Sequence, residues 1–416
     1  MFTKNFIITL VLTFVGLNVQ AQNLPNEPKK PNEYEVAVYY FPSYHIDSTN
    51  EKWHGKNWSE WDLVKAAKPR FKGHEQPKVP TWGYFNEADP KWAAKEIDLA
   101  SENGVDCFIY DWYWYENVKG NKYLHRQLEE GFLKAPNRNK LKFALMWANH
   151  DWANIHPANF NNKPEKLTEG KVSRETWQKM TDYIINNYFK QPNYWKIDGK
   201  PYFSIYELKT FMNSFGSLEK TMEAFKLFED KTIAAGFPGL HINVMALDLN
   251  DWALTSVPWE KSQKDPEMIF KTFNISSVTS YCFVHHYQAP DSEFPYMSYD
   301  KSTKANAKAW EELAIKFAPK PYFPSVSMGW DVSPRTLQTD KFENRGYPFM
   351  SIFQDNTPEA FKKALLLSKQ YIEKTKPKNK IVIINAWNEW TEGSYLLPEK
   401  KYGDGYLKAI KSIFGN

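Results

Sequence analysis

Eight short apolar runs rich in β-branched and aromatic residues recur along the chain, and amphipathic helical patterns separate them. Several of the runs are almost continuously apolar, which is typical of parallel strands that are covered on both faces. The predicted strands are 36–41, 105–112, 142–147, 202–206, 241–246, 277–284, 322–327 and 381–386. Eight strands in βα alternation predict an α/β fold, a single (β/α)8 TIM-type barrel with elaborated βα loops.

The N-terminal residues differ in character from the rest of the chain. Lys4 precedes a short apolar core, and Val19-Gln20-Ala21 offers the small residues that signal peptidase reads. We therefore predict a signal peptide at 1–21, a flexible leader rich in Pro, Asn and Lys at 22–33, and the barrel domain at 34–416. After cleavage near Ala21 the protein is expected to be periplasmic or secreted, with no membrane association in the mature form.

Composition and charge exclude several classes of protein. Aromatic residues make up 17% of the chain and hydrophobic residues 42%, which is too much for a disordered protein. The net charge is only +4, and no dense basic patch is present, so nucleic acid is not an expected partner. Cys107 and Cys282 both fall in predicted strands, and we expect buried free thiols, because a chain this long can build its core without a disulfide.

The predicted strands end in aromatic residues that stand beside carboxylates, amides and histidines. Barrels of this type hold their sites at the C-terminal ends of the strands, and the fifth strand there leads to Asp248. Flat aromatic faces stack on sugar rings, while polar side chains bind hydroxyl groups. The positions therefore predict a carbohydrate cleft rather than an aromatic core alone. The candidate substrate-binding residues are Tyr40, Tyr44, His45, Glu60, Trp61, Asp111, Tyr113, Trp147, Asn149, Tyr206, His286, Trp330, Asn388 and Trp390.

Glu389 and Glu392 follow the last predicted strand and are the candidate catalytic residues. Glycoside cleavage needs two carboxyl groups, and two side chains three residues apart on a tight turn can lie roughly 5–6 Å from each other. That separation favours retention over inversion, which needs room for a water. Neighbouring tryptophans would raise the pKa of one acid by lowering the local dielectric constant, and Gly393 permits a sharp turn.

Two other arrangements of polar residues offer alternatives to this pair. His285-His286 could indicate a metal-dependent hydrolase, but adjacent residues of a strand point to opposite faces, so we expect no metal and no cofactor. Glu207 follows the fourth strand, where many retaining glycosidases hold their acid. The seventh strand ends in Gly329-Trp330-Asp331, however, without the second glutamate that such enzymes need.

Separated motifs between about Glu35 and Leu397 resemble the WbsX-type, glycosyl hydrolase family 99-like proteins. The matching segments are Tyr39-Tyr40-Phe41-Pro42, Trp58-Ser59-Glu60-Trp61, the stretch 68–77, Trp147-Ala148-Asn149, Gly329-Trp330-Asp331 and the stretch from Asn385 to Gly393. The resemblance implies a (β/α)8 barrel. In the founding hydrolase family it further implies endo-acting cleavage of α-mannosidic linkages with retention.

The resemblance also implies a role for each acid. In that family the first glutamate of a Glu-x-x-Glu motif takes the proton of the sugar 2-hydroxyl, which attacks the anomeric carbon, and the second is general acid and then base. By position, Glu389 would be the base and Glu392 the acid/base. This chain has Asn149-His150-Asp151-Trp152 where the WbsX-type branch often has Asn-Glu-Asn-Trp, and the resemblance leaves the sugar open.

These observations favour an exported retaining glycoside hydrolase, a monomer, that acts on a polysaccharide or oligosaccharide. A WbsX-type glycosyltransferase of polysaccharide biosynthesis is the first alternative. It would need an activated sugar donor, usually a cytoplasmic nucleotide sugar, and the predicted signal peptide argues against that supply. A non-catalytic carbohydrate-binding protein is the second alternative.

Overall fold

The computed structural model describes residues 33–246 and 272–415. The predicted signal peptide, all of the predicted leader except Glu33, and Asp248 lie outside the described residues. Among the residues described, no helix combines the length and the apolar character that crossing a bilayer requires.

Within the residues described, nine parallel strands form the barrel sheet. They are β1 (Glu35–Tyr40), β2 (Cys107–Trp114), β3 (Lys142–Trp147), β4 (Lys200–Ile205), β5 (His241–Met245), β6 (Ser277–Thr279), β7 (Tyr322–Phe323), β8 (Ser325–Ser327) and β9 (Ile381–Asn385). Their order is β7-β6-β5-β4-β3-β2-β1-β9-β8, so that chain neighbours pair throughout except where β1 meets β9. Each of the eight predicted strands is present, and the predicted TIM-type barrel is confirmed.

The seventh predicted strand is divided by Pro324. Tyr322 pairs with Val278 of β6, whereas Ser325 pairs with Ile383 of β9. Proline has no N–H to donate, so it interrupts the ladder, although its carbonyl still accepts the Ile383 N–H at 3.0 Å. The two pieces therefore face different neighbours, and the barrel is nearly closed between them.

The sixth strand is shorter than predicted, because it ends at Thr279 and the chain enters a 3-10 turn at Phe283–His285. Side chains of neighbouring elements take the backbone groups that a longer strand would use. Ser327 Oγ accepts the Phe283 N–H at 2.9 Å, and Asn306 Nδ2 donates to the Phe283 carbonyl at 3.0 Å. His285 and His286 therefore do not lie on a strand, and their side chains need not point to opposite faces of the sheet.

Helices cover the outside of the barrel and occupy its loops. The α-helices of the described residues are Ser48–His54, Trp61–Ala66, Pro90–Glu102, Arg174–Ile184, Leu208–Phe215, Leu218–Ala234, Tyr299–Lys316, Pro358–Thr375 and Gly405–Phe414. Gly104 and Gly236 follow two of them with φ of 82° and 95°, the left-handed conformation in which helices commonly end. Residues 127–134 form a π-helical turn and a 3-10 turn.

Short strands extend the loops at both ends of the barrel. They are Lys122–Tyr123, Trp152–Ala153, Lys166–Thr168, Lys196–Ile197, Tyr296–Ser298, Ile352–Gln354, Asn388–Glu389 and Ser394–Tyr395. The core lies between the sheet and the surrounding helices, where Trp147 of β3 packs on Trp177 with ring centroids 5.6 Å apart. Cys107 and Cys282 are free and buried, as expected.

Candidate active site

A cavity of about 1060 Å³ lies at the C-terminal ends of the barrel strands. Its polar and aromatic lining comes from the segments that follow nearly every described strand. These side chains include Asp111, Tyr113, His150, Trp152, His156, Tyr206, Glu207, Tyr281, His285, Trp330, Arg335, Tyr347, Glu389 and Glu392. This is the face of a TIM barrel that carries active sites.

The two candidate acids lie on one tight turn after β9. Asn388–Glu389 pairs antiparallel with Ser394–Tyr395, and a single 3-10 turn, Trp390–Glu392, joins the two short strands. Gly393 closes this turn with φ of 63°, and a Cβ there would lie 2.7 Å from Asp331 N and Cβ. Only glycine fits this position, because both the backbone conformation and the space exclude a side chain.

Arg335 joins the two acids to a third carboxylate. Its Nη2 lies 3.1 Å from Glu389 Oε2 and 2.9 Å from Glu60 Oε1, and its Nη1 donates to Glu392 Oε1. Its Nε lies 3.0 Å from Thr391 Oγ1, on the same turn. The side chain is only 7% exposed, so Arg335 is a buried cation surrounded by three buried acids.

Burial and Arg335 act in opposite directions on these acids. Burial raises the pKa of Glu389 well above its ordinary value, the nearby Glu392 charge adds to the rise, and Arg335 opposes it. Burial also raises the pKa of Glu392, against Arg335 and the Tyr347 hydrogen bond. For Glu60 the effect of burial is outweighed by Arg335, and its pKa is lowered. Burial thus favours protonation of the Glu389–Glu392 pair, whereas Arg335 favours ionisation of Glu60.

A second hydrogen-bonded pair, Tyr281 and Asp111, also contacts Glu389. The Tyr281 hydroxyl lies 2.8 Å from Asp111 Oδ2 and 3.4 Å from Glu389 Oε1. Burial raises the pKa of Asp111 well above its ordinary value. Its Oδ1 is buried without a protein partner, and it is available for a ligand hydroxyl.

The structure brings six of the predicted site residues to the cavity wall and places the others behind it. The six are Asp111, Tyr113, Tyr206, Trp330, Glu389 and Glu392. The residues that do not line the cavity are Tyr40, Tyr44, His45, Glu60, Trp61, Trp147, Asn149, His286, Asn388 and Trp390. The contacts of this second set show what each of them does instead.

Glu87 and Glu96 support the acid turn from inside the barrel wall. Glu87 accepts from Tyr44 N at 2.6 Å, pairs with His45 Nδ1 at 2.9 Å and accepts from Asn388 Nδ2 at 3.2 Å. The Tyr40 hydroxyl contacts both carboxyl groups, at 3.1 Å from Glu87 and 3.0 Å from Glu96. The polar atoms of Tyr40, His45 and Asn388 serve this network, which ties the segment after β1 to the residue before Glu389.

Aromatic rings fill the space on the outer side of the acid turn. Tyr44 lies 4.4 Å from Trp61, Trp61 lies 5.9 Å from Trp390, and Trp390 stacks on Tyr395 at 3.9 Å, as ring centroid distances. Each of the four is buried. These rings pack the turn and shield it from solvent rather than facing the cavity.

Asn149 and Trp147 make contacts that stabilise the barrel itself. Both ends of the Asn149 amide bond the Glu207 backbone at 2.8 Å, which fixes the chain after β4. Trp147 points outward against Trp177, as described above.

Of the two adjacent histidines, His285 rather than the predicted His286 lines the cavity. His286 Nε2 instead lies 2.6 Å from Ser280 Oγ. Burial lowers the pKa of His285 to about 3, and its buried Nδ1 has no protein partner. A neutral imidazole facing the cavity can bind a hydroxyl group.

Asp331 joins two of the sequence motifs. Its Oδ2 lies 2.9 Å from His74 Nε2 and 2.7 Å from Gln76 Nε2, and its Oδ1 accepts from Ser333 N at 3.0 Å. Burial would raise its pKa, but His74 and the other donors lower it to about 2. Asp331 therefore anchors the loop that carries Trp330 and Arg335.

Arg335, Tyr281 and Tyr347 were missed by the sequence reasoning. Buried carboxylates require a counter-cation, and Arg335 follows Asp331 by four positions in a strand-end loop. A search for basic residues in such loops could have identified it. Tyr281 was hidden because the sixth strand was expected to continue through it.

A family model described as glycosyltransferase WbsX matches residues 36–410. The chain belongs to the WbsX family. Among curated proteins, the uncharacterised protein WxcX of Xanthomonas campestris pv. campestris is 23% identical over 384 residues. That match covers 90% of this chain and 49% of WxcX, so this WbsX-family chain spans about half the length of the curated relatives it matches.

Solved structures share the fold of this WbsX-family chain. The GH99 endo-alpha-mannosidase from Bacteroides thetaiotaomicron is 16% identical, with a TM-score of 0.51, over 91% of this chain and 96% of that one. A glycoside hydrolase-like protein is 15% identical, with a TM-score of 0.56, over 95% of this chain and 98% of that one. The resemblance to WbsX-type and family 99-like proteins is confirmed, and the fold is that of TIM-barrel glycosidases.

Proposed function

We propose that this WbsX-family barrel is a retaining glycoside hydrolase that cleaves α-mannoside-like linkages in a polysaccharide or glycan. The observation that carries the proposal is the acid turn, where buried Glu389 and Glu392 contact one guanidinium, that of Arg335. Binding to Nη1 and Nη2 of the same group keeps the two carboxyl groups close together. Close carboxyl groups suit retention, and a shared proton suits an acid and a base.

In the proposed first step Glu389 removes the proton of the sugar 2-hydroxyl while that oxygen bonds the anomeric carbon. The glycosidic bond breaks, and the departing oxygen takes the proton of Glu392. The products are a 1,2-anhydro sugar and a shortened glycan. Arg335 and the Tyr281 hydroxyl contact Glu389 and stabilise its ionised form.

In the second step the Glu392 carboxylate takes a proton from water while the water oxygen bonds the anomeric carbon. The bond between that carbon and O2 breaks, and O2 recovers its proton from Glu389. Two displacements at one carbon give net retention, and both glutamates return to their starting protonation states.

The substrate class rests on similarity and on the cavity. The GH99 neighbour is an endo-alpha-mannosidase, and this chain shares its fold. The cavity of about 1060 Å³ is large enough for several sugar rings. Its buried, unpartnered polar atoms, among them Asp111 Oδ1, Trp152 Nε1 and His285 Nδ1, are suited to sugar hydroxyls.

A direct test incubates the purified chain with a panel of α-linked polysaccharides, α-mannans included, and analyses the products by mass spectrometry. We expect oligosaccharide release without any sugar donor, and none from Glu389→Gln or Glu392→Gln. Glu219→Gln is the control, since Glu219 is exposed and lies outside the cavity. Full activity of Glu392→Gln on the glycan would refute the acid assignment.

Two further measurements test the reaction mechanism rather than the identity of the substrate. The first-formed anomer, observed by NMR, should keep the configuration of the cleaved linkage. Substrates that lack the 2-hydroxyl of the cleaved sugar should not turn over. Net inversion, or turnover of the 2-deoxy substrate, would contradict the proposed participation of O2.

Glycosyl transfer is the second candidate, because the family model carries a glycosyltransferase description. A transferase would release no oligosaccharide from the panel and would extend an acceptor when supplied with a nucleotide sugar. Binding without either reaction would indicate a non-catalytic carbohydrate-binding protein. We also propose export as a monomer after cleavage near Ala21, which N-terminal sequencing and gel filtration of the secreted or periplasmic protein would test.

A further inference from the structure

Tyr347 is unusual among the aromatic residues of the cavity. The residue is 45% exposed, whereas Trp330 and Tyr281, which line the same cavity, are 5% and 7% exposed. The other exposed large apolar side chains of the described residues, such as Tyr84 and Ile315, lie outside the cavity. Tyr347 therefore offers an open aromatic face at the mouth of the site.

The hydroxyl of Tyr347 reaches the acid turn although the residue is partly exposed at the cavity. It lies 3.0 Å from Glu392 Oε1 and also contacts Arg335 Nη1. A guanidinium can only donate, so Arg335 donates to the Tyr347 oxygen and the Tyr347 O–H donates to Glu392. The direction of both hydrogen bonds is thereby fixed.

These donors distinguish the two oxygens of Glu392. Oε1 receives hydrogen bonds from both Arg335 Nη1 and Tyr347. Oε2 has no hydrogen-bond partner among the described residues of the chain. An acidic proton on Glu392 therefore belongs on Oε2, because a protonated Oε1 would face two donors.

We propose that Tyr347 forms the leaving-group subsite, where its exposed ring stacks on the departing sugar and its hydroxyl turns Glu392 Oε2 towards the glycosidic oxygen. The inference rests on the proposed hydrolase function and names the residue that binds the leaving group. The proton of Oε2 passes to the glycosidic oxygen as the bond to the anomeric carbon breaks, and the sugar departs as an alcohol. The ring centroid of Trp330, which lines the same cavity, lies 6.3 Å from that of Tyr347.

Two variants separate the two roles. Tyr347→Phe removes the hydroxyl and keeps the ring, whereas Tyr347→Ala removes both. Each is assayed on an α-linked mannotetraose, whose leaving group needs a proton, and on a 2,4-dinitrophenyl α-mannobioside, whose leaving group does not. Tyr84→Phe and Tyr84→Ala are matched controls, because Tyr84 is 37% exposed and lies outside the cavity.

We expect Tyr347→Phe to lower kcat on mannotetraose by about 10- to 100-fold, the range of a weakened general acid, with KM nearly unchanged. The same variant should retain most of its activity on the dinitrophenyl substrate. Tyr347→Ala should in addition raise KM for mannotetraose by about tenfold, since it removes the stacking face. An equal loss on both substrates, or wild-type values for both variants, would overturn the inference.

A binding measurement separates this inference from the proposed function. If the unchanged chain cleaves none of these substrates, the proposed hydrolase function has failed, and calorimetry with mannotetraose still tests the subsite. Glu392→Gln should bind the tetraose, and adding Tyr347→Ala should weaken binding by about tenfold. Absent binding, or equal affinity of the single and double variants, would contradict a sugar subsite at Tyr347.

Discussion

Arg335 Nη2 lies 3.1 Å from Glu389 Oε2, within a site where each of the three acids around the guanidinium is almost fully buried. Because Arg335 also donates hydrogen bonds to Glu392 and Glu60, one cation contacts three carboxyl groups. The rise that burial causes in the pKa values of the acid pair is therefore opposed by a residue of a different loop, the one after β8, while the acids lie on the turn after β9. Asp331 anchors that loop, and it therefore also fixes the position of Arg335 beside the acids.

Removal of the Arg335 side chain should affect both activity and folding. We expect Arg335→Ala to abolish measurable glycan cleavage and to lower the free energy of unfolding by roughly 3–5 kcal/mol, because uncompensated buried carboxylates remain. Arg335→Lys should retain part of the stability but little activity, since an ammonium cannot reproduce the forked contacts. Urea denaturation and the cleavage assay measure these effects.

The control for this prediction is Arg126→Ala, which removes an exposed pair with Glu130. That change should alter the free energy of unfolding by no more than about 1 kcal/mol. Comparable losses in the Arg126 and Arg335 variants would refute a special role for the buried cation.

The pH dependence of kcat/KM should reflect the acid pair. The proposed mechanism requires ionised Glu389 and protonated Glu392, so activity should fall at low pH, where both acids are protonated, and at high pH, where neither is. Burial raises the pKa of both, so both limbs should lie above the ordinary glutamate range.

A substrate whose leaving group departs without a proton provides the check on this profile. With a dinitrophenyl glycoside, Glu392→Gln should retain the acidic limb and lose the alkaline limb. A profile whose limbs both lie at or below the ordinary glutamate pKa would contradict the burial argument.

The barrel could be predicted from the sequence because β-branched and aromatic runs, buried on both faces, are a local signal. Strand ends were predicted less well where side chains of other elements replace ladder partners, as Ser327 does for Phe283. No local pattern reports such a partner, since it lies far along the chain.

The acid pair could also be predicted, because it follows a strong strand, whereas the direction of each aromatic side chain could not. Tyr40 and Trp390 stand at strand ends like Tyr113 and Trp330, yet the first two face the barrel wall. Glu87 lies just before the helix Pro90–Glu102, and Glu96 lies within it. Glu87 contacts Asn388 and Glu96 contacts Trp387, so each contact joins residues about 300 positions apart. Tertiary packing alone determines such pairings.

Gly393→Ala tests how tightly the acid turn is packed. The new Cβ would lie 2.7 Å from two atoms of Asp331, and the position has φ of 63°. We expect a loss of about 2–4 kcal/mol in the free energy of unfolding, and lower activity as Glu392 moves.

Gly120→Ala isolates the conformational part of that loss. Gly120 has a similar φ of 70°, but a Cβ there meets no atom within 4 Å. It should cost only about 1 kcal/mol and leave activity intact. Equal losses for the two variants would show that the close contact with Asp331 does not contribute to the loss in the free energy of unfolding.

Glu96→Gln tests the buried acids beneath the turn. Burial raises the pKa of Glu96 well above its ordinary value, the nearby Glu87 adds to the rise, and Trp387 and Tyr40 oppose it. A carboxyl whose pKa is higher in the folded state binds its proton more tightly there. Its contribution to stability is therefore present below the unfolded pKa and is lost as pH rises towards the folded pKa.

A glutamine in place of Glu96 cannot ionise, so the variant should lose less stability than the wild type between pH 5 and pH 8. Removing one such titration flattens the slope by up to about 1.4 kcal/mol per pH unit while Glu96 remains protonated. Urea unfolding at several pH values gives this slope, and Glu219→Gln, on an exposed helix, should leave it unchanged. Parallel curves for Glu96→Gln and the wild type would mean that Glu96 is ionised in the folded protein.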